Sequence, residues 1–193
     1  MAQETRTRLL AAAERLIIDE GLNAISIRRI AAETGLNSAL TRYYFGSVDG
    51  LLLQLAETNL RPMLAAWAEP LAPGADVREV LRRYLAPMWL PACHCPGERA
   101  LVLIDELVAH GDEALRDSMV APLLGPFERT IAALAGHLPG LAHDDIAARL
   151  SFASAGALGM PPRSRTRTLF PGRTPHGSLE GALRFTLMLF APD

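Results

Sequence analysis

The chain has 193 residues, of which 31 are Ala and 32 are Leu, and half of all residues are hydrophobic. This length is sufficient for one or two domains with a buried core, and the composition excludes a disordered chain and disfavours an all-β fold. All 19 basic residues are Arg and the net charge is −2, which excludes a histone-like polycation but allows a DNA-binding protein with Arg concentrated on one face.

The N-terminal part of the chain predicts three short helices and the start of a fourth. Apolar residues recur at every third or fourth position of each segment. Gly21, Gly35 and Gly46 follow the first three segments and are suited to helix ends. Ser26 and Ser47 are suited to cap the second and fourth helices, and Asn37 or Ser38 the third. The predicted helices cover residues 5–20, 27–34, 38–44 and 48 onward.

Three short helices with a glycine turn between the second and the third are typical of a helix-turn-helix unit. Ile27, Ile30 and Ala31 are predicted to face inward from the second helix. Small and polar residues are predicted to point outward from the third helix, which would let it enter a DNA groove: Asn37, Ser38, Ala39, Thr41, Arg42 and Tyr43. From spacing alone, an ordinary helical bundle with the aromatic run in its core remains an alternative.

The rest of the chain predicts longer helices that are separated by Pro and Gly, with no internal repeat and no convincing strand. Pro62 is expected to kink the first of them, and Pro122 and Pro126 are expected to interrupt the fourth. Residues 161–177, rich in Pro and Arg, are predicted to form a mobile loop. The predicted helices cover residues 51–68, which continue the fourth helix from residue 48, and residues 77–89, 98–110, 112–135, 144–160 and 179–190. The fold class is therefore all-α, with about nine helices.

The segment Ile25-Ser26-Ile27-Arg28-Arg29-Ile30-Ala31-Ala32-Glu33-Thr34-Gly35-Leu36-Asn37-Ser38-Ala39-Leu40-Thr41-Arg42-Tyr43-Tyr44-Phe45-Gly46-Ser47 resembles the DNA-binding domain of TetR-family bacterial transcription regulators. The resemblance covers about residues 5–60. It implies a helix-turn-helix domain over residues 1–48 and a helical effector-binding and dimerisation domain over residues 49–193. It also implies a non-enzymatic regulator, most simply a ligand-responsive repressor that binds a palindromic operator in double-stranded DNA as a homodimer.

The resemblance transfers DNA contacts to individual positions. Ser26 matches a phosphate-binding residue at a helix N-terminus, and Arg28 matches a position that contacts bases or phosphates. Two positions depart from the family pattern: Arg42 replaces the usual aromatic residue, and Val48 replaces a Lys, which removes one phosphate contact per subunit. The predicted DNA-binding residues are Ser26, Arg28, Asn37, Ser38, Ala39, Arg42, Tyr43 and Tyr44.

The last two predicted helices are the candidate dimer interface that the resemblance implies. Phe152 and Leu187 lie in the middle of these helices, on their apolar faces, and two such helix pairs would form an isologous four-helix contact. Other apolar residues of the two helices support the same interface: Leu150, Ala153, Ala157, Leu158, Leu183, Leu189 and Phe190. Packing of these helices within one chain is the alternative.

Bulky, adaptable side chains in the predicted effector domain are suited to surround a small apolar effector, although such residues are more often plain core. Asp105 could hold a polar group of the ligand if it faces inward, but one of the adjacent Asp105-Glu106 carboxylates is expected to face solvent. The candidate pocket residues are Met63, Trp67, Met88, Trp89, Asp105, Met119 and Phe127.

Cys93-His94-Cys95 is too short to form a tetrahedral metal site without a second pair of ligands. A loop with two reduced thiols is the favoured interpretation, and a metal sensor or a thiol redox switch is the weaker alternative. No cofactor or metal is expected. A helical enzyme or carrier is the rival class, but no catalytic constellation supports it.

No segment has the length and hydropathy of a membrane helix. The N-terminus is polar and lacks an apolar signal core, so a cytoplasmic location is expected.

Overall fold

The computed structural model describes residues 2–94, 100–159 and 178–191, and within these ranges the side chains of residues 100, 101, 158 and 159 are not described. In these ranges the chain forms nine α-helices and no strand, which confirms the predicted all-α fold. The helices are Ala2–Glu20 (α1), Ile27–Thr34 (α2), Ser38–Phe45 (α3), Val48–Ala68 (α4), Val77–Leu85 (α5), Ala100–His110 (α6), Glu113–His137 (α7), His143–Gly159 (α8) and Leu179–Leu189 (α9). None of the described helices is both long and apolar enough to cross a membrane.

Local sequence signals set the boundaries of the first four helices. Ser26, Asn37 and Ser47 each accept a backbone N–H from the first turn of the helix that follows, as expected of N-caps. Gly35 has a φ of 66° and a ψ of 16°, a left-handed conformation that glycine adopts at little cost. The predicted bounds of α2 are therefore confirmed, and α3 extends one residue further than predicted.

Two predicted features of the later helices are wrong. The expected interruption at Pro122 and Pro126 does not occur, because α7 continues through both residues. Leu115 and Ile131, on either side of the two prolines, are buried in the core. This packing favours a continuous helix despite the backbone hydrogen bonds that the prolines cannot make.

The helix predicted over residues 77–89 is shorter in the structure. It ends at Leu85 and continues as a 3₁₀ turn over Ala86–Trp89. Pro87 lies in the first turn of this segment, where its missing N–H is tolerated. The predicted loop over residues 161–177 lies outside the described residues, as do Cys95 and the predicted start of α6 at residue 98.

The helices form one continuous core. Helices α1, α2 and α3 pack together, and α4 extends from them to pack against α7. Helix α5 lies against α7 and α9, and α8 lies against α7 and α9. The residues that are fully buried in this core come from both halves of the chain, and include Leu9, Ile17, Ile30, Leu51, Leu55, Leu81, Leu103, Met119 and Ile131.

A buried polar contact joins the three N-terminal helices to the rest of the molecule. Glu14 of α1 is fully buried, and its two carboxylate oxygens accept hydrogen bonds from Asn59 Nδ2 at 3.1 Å and from the backbone N–H of His94 at 2.9 Å. Asn59 Oδ1 in turn accepts the backbone N–H of Cys93 at 2.9 Å. A buried carboxylate is tolerated because its oxygens accept hydrogen bonds. We call Glu14, Asn59, Cys93 and His94 the polar junction.

Candidate DNA-binding surface

Helix α2 presents two basic side chains to solvent, Arg28 and Arg29. Ile30 and Ala31 are buried, as predicted, and Ile27 is half-buried, whereas Arg28 is exposed. The Ser26 hydroxyl oxygen accepts the backbone N–H of Arg29 at 3.1 Å. The hydroxyl proton of Ser26 remains available to an acceptor. The start of α2 thus combines a hydroxyl donor with the positive end of a helix, which suits a phosphate.

Helix α3 and its N-cap present polar and aromatic residues to solvent. Asn37, Ala39 and Arg42 are exposed, and Tyr43 is 81% exposed, a high value for an aromatic residue. The Asn37 side-chain oxygen accepts the backbone N–H of Ala39 at 2.9 Å, which leaves the amide N–H groups of Asn37 as donors. The exposed face therefore carries an amide, a guanidinium and a phenol.

One predicted outward residue of α3 faces inward. Thr41 is completely buried, and its hydroxyl has no hydrogen-bond partner within the described residues. Thr41 lies one helical turn before Phe45, which is also buried, so the two residues share the face that packs on the core. Ser38 is half-buried rather than fully outward. Thr41 was expected to point outward because it is polar, but its spacing of four residues from Phe45 places it on the buried face of α3.

The arginines of this region differ in whether a carboxylate neutralises them. Arg29 donates to Glu20 Oε1 at 2.6 Å, and this hydrogen bond and charge pair raise the pKa of Arg29. Arg28 and Arg42 have no carboxylate within ion-pair distance in the part of the chain that the structure describes. Two exposed positive charges, one on α2 and one on α3, are therefore available to an anionic partner.

The aromatic run at the end of α3 connects the exposed face to the core. Tyr43 contacts Tyr44 edge to face, with ring centroids 5.2 Å apart, and Tyr44 lies 6.3 Å from the ring of Phe45. Tyr44 is half-buried and packs against the core. Val48, the first residue of α4, is half-buried and also packs against the core. Sequence reasoning considered Val48 only as a missing cation, and it overlooked this packing role.

The predicted pocket residues are spread through the helical core. Met63, Trp67, Met88 and Met119 are buried, and Trp89, Asp105 and Phe127 are half-buried. Only Trp67 among these seven lines a cleft of about 340 Å³ between the end of α4, α5 and α7. We call it the α4–α5–α7 cleft. Among the lining residues that were not predicted, Arg83, Tyr84 and Arg129 carry polar and aromatic groups. Tyr84 was detectable from the apolar spacing of α5, but the two arginines had no sequence signal.

The adjacent residues Asp105 and Glu106 of α6 are both half-buried. The expectation that one of the two carboxylates faces solvent fully is therefore wrong. Glu106 Oε2 accepts the backbone N–H of Leu22 at 3.3 Å and lies 3.9 Å from His110 Nε2. This contact ties α6 to the segment that follows α1. Glu106 therefore has a positioning role that the sequence pattern did not predict.

The candidate dimer helices have both buried and exposed apolar residues. Phe152 of α8 is 70% exposed, and Met188 of α9 is 71% exposed. Leu187 is half-buried and packs against the core. Five residues that were expected to support the interface are instead buried within the chain: Leu150, Ala153, Ala157, Leu183 and Phe190. For these five the alternative of packing within one chain is correct, because α8 and α9 pack on each other and on their neighbours.

Cys93 has a structural environment that explains it without a metal. Pro62 has no N–H, so the carbonyl of Thr58 lacks its helical partner. The Cys93 thiol donates to this carbonyl at 3.0 Å. Burial, and then the charge of Glu14, raise the pKa of Cys93, and Arg61 partly opposes them. Among the described residues no group of three His, Cys, Asp or Glu side chains is placed to hold a metal ion. Cys95 lies outside that part of the chain.

Comparison with known proteins identifies the N-terminal unit. The family model described as "Bacterial regulatory proteins, tetR family" matches residues 9–55. The transcriptional repressor NicS of Pseudomonas putida is 28% identical over 147 residues, which cover 75% of this chain and 69% of NicS. An uncharacterised HTH-type transcriptional regulator of Xanthobacter autotrophicus, from the dhlA 5′ region, is 33% identical over 88 residues, which cover 44% of each chain.

Solved structures share the whole fold at low sequence identity. The TetR-family regulator PfmR of Thermus thermophilus superposes with a TM-score of 0.63 at 20% identity, over 94% of this chain and 96% of PfmR. A candidate transcriptional regulator from Saccharomonospora viridis, solved in complex with choline, superposes with a TM-score of 0.71 at 21% identity, over 97% of this chain and 96% of that one. At this identity the likeness concerns the fold alone.

Proposed function

Because the chain belongs to the TetR family of bacterial transcriptional regulators, we propose that it is a ligand-responsive repressor that binds a palindromic operator as a homodimer. The observation that carries this proposal is the exposed surface of α2 and α3, where Arg28, Arg42 and Tyr43 face solvent. Members of this family are regulators rather than enzymes, as expected from the sequence. A protein of this kind acts on chromosomal DNA and therefore in the cytoplasm.

The exposed groups divide into those that position the protein and those that read sequence. Ser26 and Arg28 at the start of α2 are proposed to hold a phosphate, as are the phenols of Tyr43 and Tyr44. At the start of α3, the base-reading positions are Asn37, Ser38 and Ala39. Asn37 has free amide donors, and the small side chains of Ser38 and Ala39 would let the helix lie deep in the major groove. Arg42 reaches a phosphate or a guanine edge.

A second copy of the chain is proposed to cover the exposed apolar residues of α8 and α9. Phe152, Phe185 and Met188 all have more than two fifths of their surface exposed. Large apolar side chains that cluster on a surface indicate an interface. One helix-turn-helix unit makes too few contacts to find a single genomic site, whereas two units held at a fixed spacing read both half-sites.

The effector is proposed to act on the distance between the two α3 helices. We place the DNA-binding domain at residues 1–48 and the effector domain at 49–193, with the ligand in the α4–α5–α7 cleft. A ligand that fits only one arrangement of the helical domain shifts the dimer to that arrangement. The polar junction and the contact of Glu106 with Leu22 carry the change to the DNA-binding domain.

A selection experiment tests the DNA-binding part of the proposal. The purified protein is mixed with sheared DNA from its own genome, and the bound fragments are sequenced and footprinted. We expect an inverted repeat whose half-sites are about 10–10.5 base pairs apart, or a multiple of that, protected by two subunits. Binding without sequence preference, or protection of one asymmetric half-site by a monomer, would refute the proposal.

A variant at the proposed interface tests the dimer. Phe152→Asp places a charge among apolar residues of the interface, where it costs several kcal/mol if it stays unpaired. We expect a folded monomer in analytical ultracentrifugation that binds the operator far more weakly. Leu124→Asp, at another exposed apolar position on α7, is the matched control and should remain a dimer. Leu187→Asp is the less specific variant, because half-buried Leu187 also packs within the chain. A dimeric Phe152→Asp with full operator affinity would place the interface elsewhere.

A further inference from the structure

The α4–α5–α7 cleft has a wall of two stacked aromatic rings. The rings of Trp67 and Tyr84 are inclined by only 25°, with centroids 6.1 Å apart. Trp67 Nε1 donates to the backbone oxygen of Tyr84 at 2.8 Å, and the Tyr84 hydroxyl is hydrogen-bonded to Ser154 Oγ at 2.9 Å. The polar ends of both rings are therefore engaged, and the rings offer the cleft mainly their carbon surface. Leu71, Val80 and Pro126 extend this apolar lining.

The same cleft has an excess of positive charge. Arg83 and Arg129 line it, and Glu69 is its one acidic lining residue within the described chain. Glu69 is already paired with Arg83, whose Nη2 lies 3.1 Å from the Glu69 carboxylate. Arg129 donates through Nη2 to the backbone oxygen of Trp67 at 3.3 Å and has no carboxylate partner among the described residues. The Arg129 charge is therefore uncompensated.

Arg83 adds a second sign of an absent acceptor. Its Nε is buried and has no hydrogen-bond partner within the described residues. A buried guanidinium N–H without an acceptor is unfavourable. A carboxylate in the cleft would neutralise Arg129 in the planar geometry that guanidinium groups prefer, and Arg83 lines the same cleft.

We propose that the α4–α5–α7 cleft binds a small, flat aromatic carboxylate, with its ring against Trp67 and Tyr84 and its carboxylate on Arg129. This proposal rests on the proposed function, since it names the chemical class of the effector. The volume of about 340 Å³ lies at the lower end of small-molecule sites, which restricts the ligand to one or two rings. The two arginines disfavour a cation such as the choline of the Saccharomonospora viridis protein, although aromatic walls alone would accept one.

The test compares three probes of similar size and different charge. The chain has two tryptophans, so Trp89→Phe leaves Trp67 as the single fluorescent reporter. Benzoate, benzyl alcohol and choline are titrated by calorimetry and by Trp67 fluorescence. We expect saturable binding of benzoate, binding of benzyl alcohol that is at least about tenfold weaker, and no binding of choline. Equal affinity for benzoate and benzyl alcohol, tighter binding of choline, or no binding of benzoate overturns the proposal.

Variants then assign the charge to Arg129. Arg129→Gln should weaken benzoate binding by about tenfold to a hundredfold and leave benzyl alcohol unchanged. Arg78→Gln is the matched control, because Arg78 lies on α5, pairs with Glu180 at 3.6 Å and does not line the cleft. Circular dichroism shows whether each variant is folded. If Arg129→Gln does not fold, the titration of the three probes on the protein with Arg83 and Arg129 intact still tests the proposal. Unchanged benzoate affinity in folded Arg129→Gln contradicts the proposed contact.

The DNA experiment separates this inference from the proposed function. Operator binding by the ligand-free protein together with no benzoate binding overturns the ligand class and leaves the regulator intact. Benzoate binding together with no sequence-specific DNA binding supports the ligand class and overturns the regulator.

Discussion

Removal of the Glu14 carboxylate should destabilise the whole chain, because this group is the acceptor that joins α1 to α4 and to the segment before α6. Glu14 is fully buried, and both of its oxygens accept hydrogen bonds. Glu14→Ala leaves the backbone N–H of His94 and one N–H of Asn59 without this acceptor. The other Asn59 N–H keeps its bond to the backbone oxygen of Leu55 at 3.0 Å.

The expected decrease in stability follows from these two donors. Each buried donor without a partner costs about 1–3 kcal/mol, and removal of the methylene adds about 0.8 kcal/mol. Removal of a buried charge returns part of this amount, since its desolvation cost disappears. We expect a net decrease of roughly 2–4 kcal/mol in the free energy of unfolding, or a decrease of about 4–16 °C in Tm for a chain of this size.

Thermal and urea unfolding at equal protein concentration measure this decrease. Glu57→Ala, at an exposed position on α4, is the matched control and should change stability by less than about 0.5 kcal/mol. A double-mutant cycle with Asn59→Ala should show a coupling between the two side chains of about 0.5–3 kcal/mol. If Glu14→Ala is as stable as Glu57→Ala, the polar junction does not hold the two parts of the molecule together.

Three further outcomes follow from single side chains. Arg42→Ala should weaken operator binding and lower the slope of log affinity against log salt by about 1 for each phosphate that the variant no longer neutralises. Arg116→Ala on α7 is the control and should leave that slope unchanged, and an unchanged slope in Arg42→Ala would remove Arg42 from the interface. Val48→Lys should tighten binding to operator and competitor DNA alike, because phosphate contacts carry no sequence information, and opposite responses would show that position 48 does not face the backbone. In a Cys95→Ser background, Cys93 should react with iodoacetamide more slowly at pH 7 than a free thiol, because its raised pKa keeps the thiol protonated, and the reaction should become faster only above the usual thiol pKa. Fast alkylation at pH 7 would contradict the hydrogen bond from Cys93 to Thr58.

The N-terminal helices could be predicted from sequence because their signals are local. Caps at Ser26, Asn37 and Ser47 and turns at Gly35 and Gly46 depend on residues within one helical turn. The continuity of α7 could not be predicted in this way. Proline is unfavourable inside an isolated helix, and only the burial of residues on both sides of Pro122 and Pro126 outweighs this local preference.

In the candidate sites, features that depend on local spacing could likewise be predicted from sequence, whereas features that depend on contacts between distant helices could not. The outward position of Tyr43 was predicted from sequence, and the burial of Thr41 would have followed from its spacing to Phe45. Arg83 and Arg129 are 46 positions apart in the sequence and meet only because α5 packs against α7. No pattern within either helix indicates that pairing, so the charge of the cleft could be recognised only in three dimensions.

Helix α4 connects the two proposed sites physically. Its 21 residues span about 31 Å. Its N-terminus follows the Ser47 cap directly after α3, and Trp67, near its C-terminus, lines the α4–α5–α7 cleft. Asn59, between these ends, is fixed to α1 through Glu14. If a ligand moves the Trp67 end of α4, the helix and the polar junction transfer that movement to α1 and α3 together. The DNA-binding helices would then shift as one body, and the spacing between the two subunits would change without unfolding of either helix-turn-helix unit.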